Sequence, residues 1–249
     1  MAPMFIYWDA ASVSTRSLAF NNGTTQFLAR VQGTAVSRQK LTISTFLKRA
    51  TTTTGAMAIW QGAISVIPNN SLSFWLINNA VYWQYVSGGT VQWLGNTTET
   101  ITDTTAFHNV TINLDTTQVA TTSRIKIWID ETLASVSATA DFFPALNASV
   151  NISGASATSY IGSNFGISSY YDGLLDQFYV IDNQALDFSF FSSGNRPIAF
   201  SGSYAGAIDT FLSFENNANT TTLGSDGSGE GNNWTLVGMS TSNSTTDVP

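Results

Sequence analysis

The chain has 249 residues, nine basic against sixteen acidic for a formal charge of −7, with no cysteine and one histidine. An acidic chain without a basic patch excludes nucleic acid and anionic membrane as principal partners, and this cysteine and histidine count excludes a disulfide framework, a Cys-ligated zinc and a multi-histidine metal centre. The length suits one undivided all-β domain, and a Thr-, Ser-, Asn- and Gly-rich polar fraction beside 12% aromatic residues fits strands joined by turns.

Residues 1–16 begin with Phe5, Ile6, Tyr7 and Trp8 in the apolar row of an arm packed on a neighbour or of an edge strand. They lack the basic leader of a signal peptide. No run approaches about 18 apolar residues, so membrane insertion is not expected and the chain reads as soluble and made inside a cell. Ser17 to Phe20 and Gln26 to Arg30 then flank Asn22-Gly23, a hairpin signal because both residues tolerate positive φ. In the stretch Lys40 to Arg49, Leu41, Ile43, Thr45 and Leu47 alternate with Thr42, Ser44, Phe46 and Lys48, which predicts a strand with one buried face.

Strands are next predicted over Ala56 to Val66, Leu72 to Ile77 and Val81 to Val86, separated at Pro68-Asn69-Asn70 and Asn78-Asn79. Gly88-Gly89 turns the chain into Val91 to Leu94. His108, Val110, Ile112 and Leu114 share one face of a strand, Ile125, Ile127 and Ile129 one face of the following strand, and the polar residues 115–123 make the two a long-loop hairpin. Asp130-Glu131 turns into Leu133 to Ser137, and residues 142–158, with Pro144, read as a loop crossing between sheet edges.

The stretch Tyr170 to Leu186 reads as a turn opening a strand with Asp176, Phe178 and Val180 inward. A buried carboxylate costs several kcal/mol unless it is paired or hydrogen-bonded. Asp176 is therefore expected to be structural, accepting hydrogen bonds from loop backbone or a nearby hydroxyl. Phe211 to Glu215 reads as the last core strand. Beyond it, Trp234, Leu236 and Val237 would be left wet in a disordered tail, so a strand laid back on the body is expected, with Trp234 structural. The division is then an N-terminal arm or edge strand (1–16), a β-sandwich (17–215) and a C-terminal segment packed on it (216–249).

Catalytic spacing is absent from the sequence. A glycosidase needs two carboxylates at a set separation, whereas Asp130 and Glu131 are adjacent and point to opposite faces, and Asp172 and Asp176 flank a turn and a strand start. No Gly-x-Ser-x-Gly elbow accompanies His108, whose place on an apolar face marks it as a hydrogen-bonded structural residue. No cofactor is assigned; calcium, which takes Asp and carbonyl oxygens in loops, is the one candidate, without a dense Asp-x-Asp-x-Asp loop to hold it. Trp75, Trp83, Tyr85 and Trp93 fall in three consecutive strands and are candidate glycan or subunit contacts. A second core face under a loop is the alternative for them.

Four segments carry a resemblance: KLTISTFLKR (40–49), FHNVTINLDTTQVATTSRIKIWIDET (107–132), YIGS (160–163) and YDGLLDQFYVIDNQAL (171–186). In this order they resemble the laminin-G-like, concanavalin A-like jelly roll, an all-β sandwich of two antiparallel sheets, with Asp130-Glu131 standing where that family has an Asp-Gly turn. The motifs at 114–118, 180–186 and GEGNNWT (229–235), with the closing TDVP (246–249), are similar to a version of the module in structural proteins of marine bacteriophages. The resemblance spans about residues 17 to 249. It implies a virion protein made in the host cytoplasm, a tail fibre, head fibre or capsid decoration without a catalytic site. Its implied partners are other virion proteins, copies of itself and host-surface glycan. A free carbohydrate-binding lectin and a polysaccharide depolymerase are the alternative readings.

Overall fold

The computed structural model describes residues 14–33, 36–52, 55–63, 70–137, 143–155 and 157–249, with backbone alone at Ala63. The apolar row Phe5 to Trp8, on which the arm was expected, and the turn expected at Pro68-Asn69 lie outside the described residues.

In chain order the strands are β1 (Ser17–Phe20), β2 (Phe27–Val31), β3 (Val36–Arg38), β4 (Lys40–Arg49), β5 (Met57–Ala63), β6 (Ser71–Ile77), β7 (Ala80–Ser87), β8 (Thr90–Thr100), β9 (His108–Asp115), β10 (Ile125–Ile129), β11 (Thr132–Leu133), β12 (Val136–Ser137), β13 (Val150–Ser153), β14 (Thr158–Ile161), β15 (Gly173–Asp182), β16 (Ser192–Ser193), β17 (Arg196–Pro197), β18 (Thr210–Leu212), β19 (Thr235–Val237) and β20 (Ser244–Thr245). One sheet runs β11-β10-β9-β4-β15-β1-β20, with β18 also on β15, and the second runs β12-β8-β7-β6-β5-β14-β2-β19. Their pairings are antiparallel. Ile43, Leu47, Ile112, Ile127, Leu175 and Phe178 from the first sheet meet Ile59, Phe74, Trp83 and Ile161 from the second in one buried cluster. The molecule is a concanavalin A-like, laminin-G-like jelly-roll β-sandwich.

Hairpin geometry follows from the turn residues. Asn78-Asn79 (φ 50° and 68°), Gly88-Gly89 (59° and 77°) and Asp130-Glu131 (49° and 65°) each place two consecutive residues in the left-handed region. Such two-residue turns match the right-handed twist of the strands they join. Asn22-Gly23 does not make the expected hairpin, because β1 belongs to the first sheet and β2 to the second. The turn carries the chain across the sandwich, with Gly23 N–H and Thr24 N–H bonded back to Asn21.

Three further stretches differ from the sequence expectation. Leu133 to Ser137 divides, Leu133 pairing with Trp128 in the first sheet and Val136 with Thr97 in the second. The crossing loop 142–158 contains β13, which pairs with β3. The last strand expected in the body, Phe211 to Glu215, is Thr210–Leu212, because Phe214 takes φ 58° and breaks the extended run; the tail adds two more strands, Thr235–Val237 on Phe27 to Ala29 and Ser244–Thr245 on Ser17 and Leu18.

The outer face of the first sheet is also covered. Thr42, Ser44, Asn109, Thr111 and Asn113 are buried there, beneath the segment that follows β15. Thr42 Oγ1 donates to Gln184 O at 2.9 Å and accepts from Leu186 N–H at 2.8 Å, and Asn113 Nδ2 donates to Leu186 O. Ser44 and Thr111 share a 2.8 Å hydroxyl contact. These bonds satisfy polar groups that burial would otherwise leave costly, and they fix a third layer on which the site described next is built.

Candidate functional site

Of the aromatic residues singled out by sequence, three fill the sandwich interior. Trp83 is 0% exposed, Trp93 5% and Tyr85 6%. Trp83 packs on Phe143 at 6.2 Å between ring centres, and Tyr85 on Trp93 at 4.8 Å. Opposite Trp83 the partner strand supplies Gly95, where a Cβ would stand 2.2 Å from the indole. The expected outward contact face is thus a core face, because β7 turns Trp83 and Tyr85 toward the opposing sheet, and these three residues have no surface to offer a glycan. Trp75 alone of the four lies on the outer face, half-buried beside Tyr82 on the neighbouring strand.

On β15 the expected inward trio is also split. Leu175, Phe178 and Val180 enter the main core, whereas Tyr179 and Ile181 join a second apolar cluster on the outer side. Between Asp176 and Tyr179 the register with β4 slips, and Gln177 takes φ 47°. This β-bulge turns Asp176 away from the Phe178 face, so the inward placement read from alternation does not hold there. Asp176 is fully buried even so. It accepts from the Ser14 hydroxyl and, at 2.7 Å, from Gln177 N–H. Burial pushes its carboxyl up to about 7, against the pull of these two donors, with the Glu215 charge adding to the rise. Glu215 in turn accepts from Thr15 N–H at 2.8 Å and from the Thr15 hydroxyl.

The bulge leaves Gln177 at the floor of a cleft of about 330 Å³ lined by Tyr179, Phe200, Tyr204, Phe211 and Ser213. Aromatic rings form its walls. Tyr179 and Phe211 stack at 4.5 Å with 8° between planes, Phe191 and Phe200 at 5.4 Å with 9°, and Phe200 meets Tyr204 at 4.9 Å. Phe200, Tyr204, Phe211 and Ser213 are half-buried and therefore reachable, while Tyr179 and Gln177 are deep. The Tyr179 hydroxyl donates to Gln177 Oε1 at 3.1 Å. Among the described residues Gln177 Nε2 and the Tyr204 hydroxyl have no partner, and the Ser213 hydroxyl only accepts, from Glu215 N–H at 3.5 Å. Burial raises the Tyr204 phenol well above its ordinary value, with Asp226 and Asp209 contributing, so it remains a hydroxyl donor.

Sequence reading missed this cleft. Its residues come from β15, from β18 and from the intervening segment, and no spacing motif connects them. The one available signal was aromatic density, since Phe188, Phe190, Phe191, Phe200, Tyr204, Phe211 and Phe214 crowd a short stretch.

Other predicted residues have structural partners. His108 Nδ1 lies 2.6 Å from Asp130 Oδ2, and that hydrogen bond raises its pKa, with burial opposing. Glu131, adjacent to Asp130, accepts from the Ser192 hydroxyl at 2.7 Å and Asn195 N–H at 2.8 Å. Trp234 is buried, with its backbone N–H bonded to Gly224 O and its indole N–H directed to the Thr210 hydroxyl at 3.4 Å. Among the described residues no three His, Asp or Glu side chains gather closely enough to hold a metal ion.

No protein-family model matches the chain, and no curated protein sequence is similar to it. Solved structures are. The native heptameric SAP-like pentraxin from Limulus polyphemus superposes with a TM-score of 0.52 at 14% identity, covering 82% of this chain and 93% of that one. A putative carbohydrate binding protein from Bacteroides ovatus superposes with a TM-score of 0.54 at 12% identity, covering 90% of this chain and 58% of that one. At these identities the likeness is one of fold, the jelly roll built above from its strands.

Proposed function

We propose that this chain is a non-enzymatic structural protein of a bacteriophage virion. In this reading it is a lectin-like module of a tail fibre, head fibre or capsid decoration that joins other virion proteins and copies of itself and contacts host-surface glycan. The observation that carries the glycan contact is the cleft between β15 and β18. It offers aromatic faces to the C–H side of a sugar ring and unpartnered amide and hydroxyl donors to its oxygens, the mix of apolar wall and few polar groups that ligand clefts use. The virion assignment is supported by the likeness of the sequence motifs at 114–118, 180–186 and 229–235, which lie outside the cleft lining, to motifs that recur in the phage version of the module.

Quantitative mass spectrometry of gradient-purified particles tests the virion assignment: the protein is expected at a fixed ratio to the major capsid protein, and its absence from particles would overturn it. A glycan array with a control lectin tests the other half. Binding to a defined set of glycans is expected, and a blank array with a working control would remove the attachment role.

A further inference from the structure

We infer that the β15/β18 cleft takes uncharged pyranosides and rejects sugars bearing a carboxylate. The inference rests on the glycan reading above and narrows it to a ligand class. Two observations carry it. The first is that Gln177 lines the cleft with its amide oxygen taken by the Tyr179 hydroxyl and its amide nitrogen unpaired among the described residues. That nitrogen is not sealed from solvent, so a sugar hydroxyl arriving over Phe211 can accept from it. Tyr204 and Ser213 add hydroxyls that can donate to or accept from the same ring.

The second observation is the fixed charge behind the walls. The Asp209 carboxylate accepts from N–H groups of Asp182 at 2.5 Å, Ala205 at 2.6 Å and Gly206 at 2.7 Å. Asp226 is held by N–H groups of Phe211 and Ser228, both at 2.9 Å, and of Asn232 at 2.8 Å. Both carboxylates act on Tyr204. No lining residue is a cation. Arg30, the cation that faces Asp226, directs Nη2 to Asn232 Oδ1 instead. A ligand carboxylate would therefore meet like charge in a partly desolvated cleft whose nearby backbone donors are already used. The volume, near the lower end of the roughly 300 to 1,000 Å³ of ligand clefts, leaves room for a mono- or disaccharide.

The test is a titration followed by saturation-transfer NMR and calorimetry, with the methyl pyranosides of glucose, galactose and mannose and the three matching uronates. At least one neutral pyranoside is expected to bind, with its uronate weaker by about tenfold or more at low salt and the gap narrowing as salt screens the carboxylates. The double variant Tyr204→Phe and Ser213→Ala, which removes two half-buried hydroxyls and no ring, should weaken the neutral ligand by about tenfold while thermal unfolding stays near wild type. A uronate that binds as well as its neutral partner, or a neutral ligand indifferent to the double variant, overturns this inference and leaves glycan binding standing. Silence from all six sugars and from the array overturns both.

Discussion

Leu175 and Phe178 stand three residues apart on β15, yet both enter the core between the two sheets. Strict alternation along a strand would send them to opposite faces. The bulge at Gln177 absorbs the extra residue, so one strand serves the sandwich core on one side and the aromatic cleft on the other. It also brings Asp176 to Ser14, joining the start of the described chain to its middle through a buried hydrogen bond.

Asp176 makes stability depend on pH. Its carboxyl titrates near 7 in the fold and near 3.9 in an unfolded chain, so between those values the native state binds the extra proton. The contribution is full below about pH 4 and declines as pH rises through about 7, by up to about 4 kcal/mol. Asp176→Asn keeps an acceptor for Gln177 N–H and gains a donor for Ser14. Urea unfolding across this range should show the wild-type decline removed in the variant; parallel curves for the two proteins would refute the assignment.

The His108–Asp130 pair acts at higher pH. The raised imidazole pKa, caused first by the Asp130 hydrogen bond, means that the pair stabilises fully below the unfolded value of about 6.5 and is lost as pH climbs through the folded one. Asp130→Asn tolerates the same φ of 49° and can still accept from Asn109 N–H. It should cost about 1 to 2 kcal/mol at pH 6 and little at pH 9, and an NMR titration of the histidine should show its midpoint lowered.

Two glycines separate conformational strain from collision. At Gly173 φ is 142° and a Cβ would stand 2.1 Å from Lys48 O, a backbone atom in a paired strand. Gly173→Ala should cost about 3 kcal/mol or more. At Gly88, with φ 59° and open space around a Cβ, Ala should cost about 1 kcal/mol. Calorimetric unfolding of the two variants checks the ranking, and equal losses would mean the Lys48 contact is easily relieved.

Trp234 fastens the C-terminal segment. Its buried indole belongs to the main core, and Trp234→Ala should cost about 3 to 5 kcal/mol through lost packing and a residual cavity. Limited proteolysis should then cut within residues 216–249 well before the body, whereas a variant as protease-resistant as wild type would show that β19 and β20 hold the segment without the indole.

Much of the strand layout was legible because alternation and turn chemistry are local. Lys40–Arg49 was read to its ends, and the turns at Asn78-Asn79, Gly88-Gly89 and Asp130-Glu131 fell where expected, since each needs only residues that accept positive φ. The return of Trp234, Leu236 and Val237 to the body followed from the cost of leaving them wet. Sheet membership did not follow: Asn22-Gly23 crosses between sheets, because which strand a turn delivers is set by distant pairing partners.

The amino-acid sequence by itself determined an acidic all-β chain, its turns and the need of Asp176 for a partner, because composition, alternation and burial cost act along the chain, while the jelly roll was legible only through the resemblance of four segments to a known module. Tertiary structure alone decided which aromatics are covered. Trp83, Tyr85 and Trp93 are core because a second sheet stands over them, while Phe200, Tyr204 and Phe211 meet around Gln177 because a bulge and a returning segment bring them together. Exposure is a property of what packs on top of a residue, and the covering elements come from far along the chain.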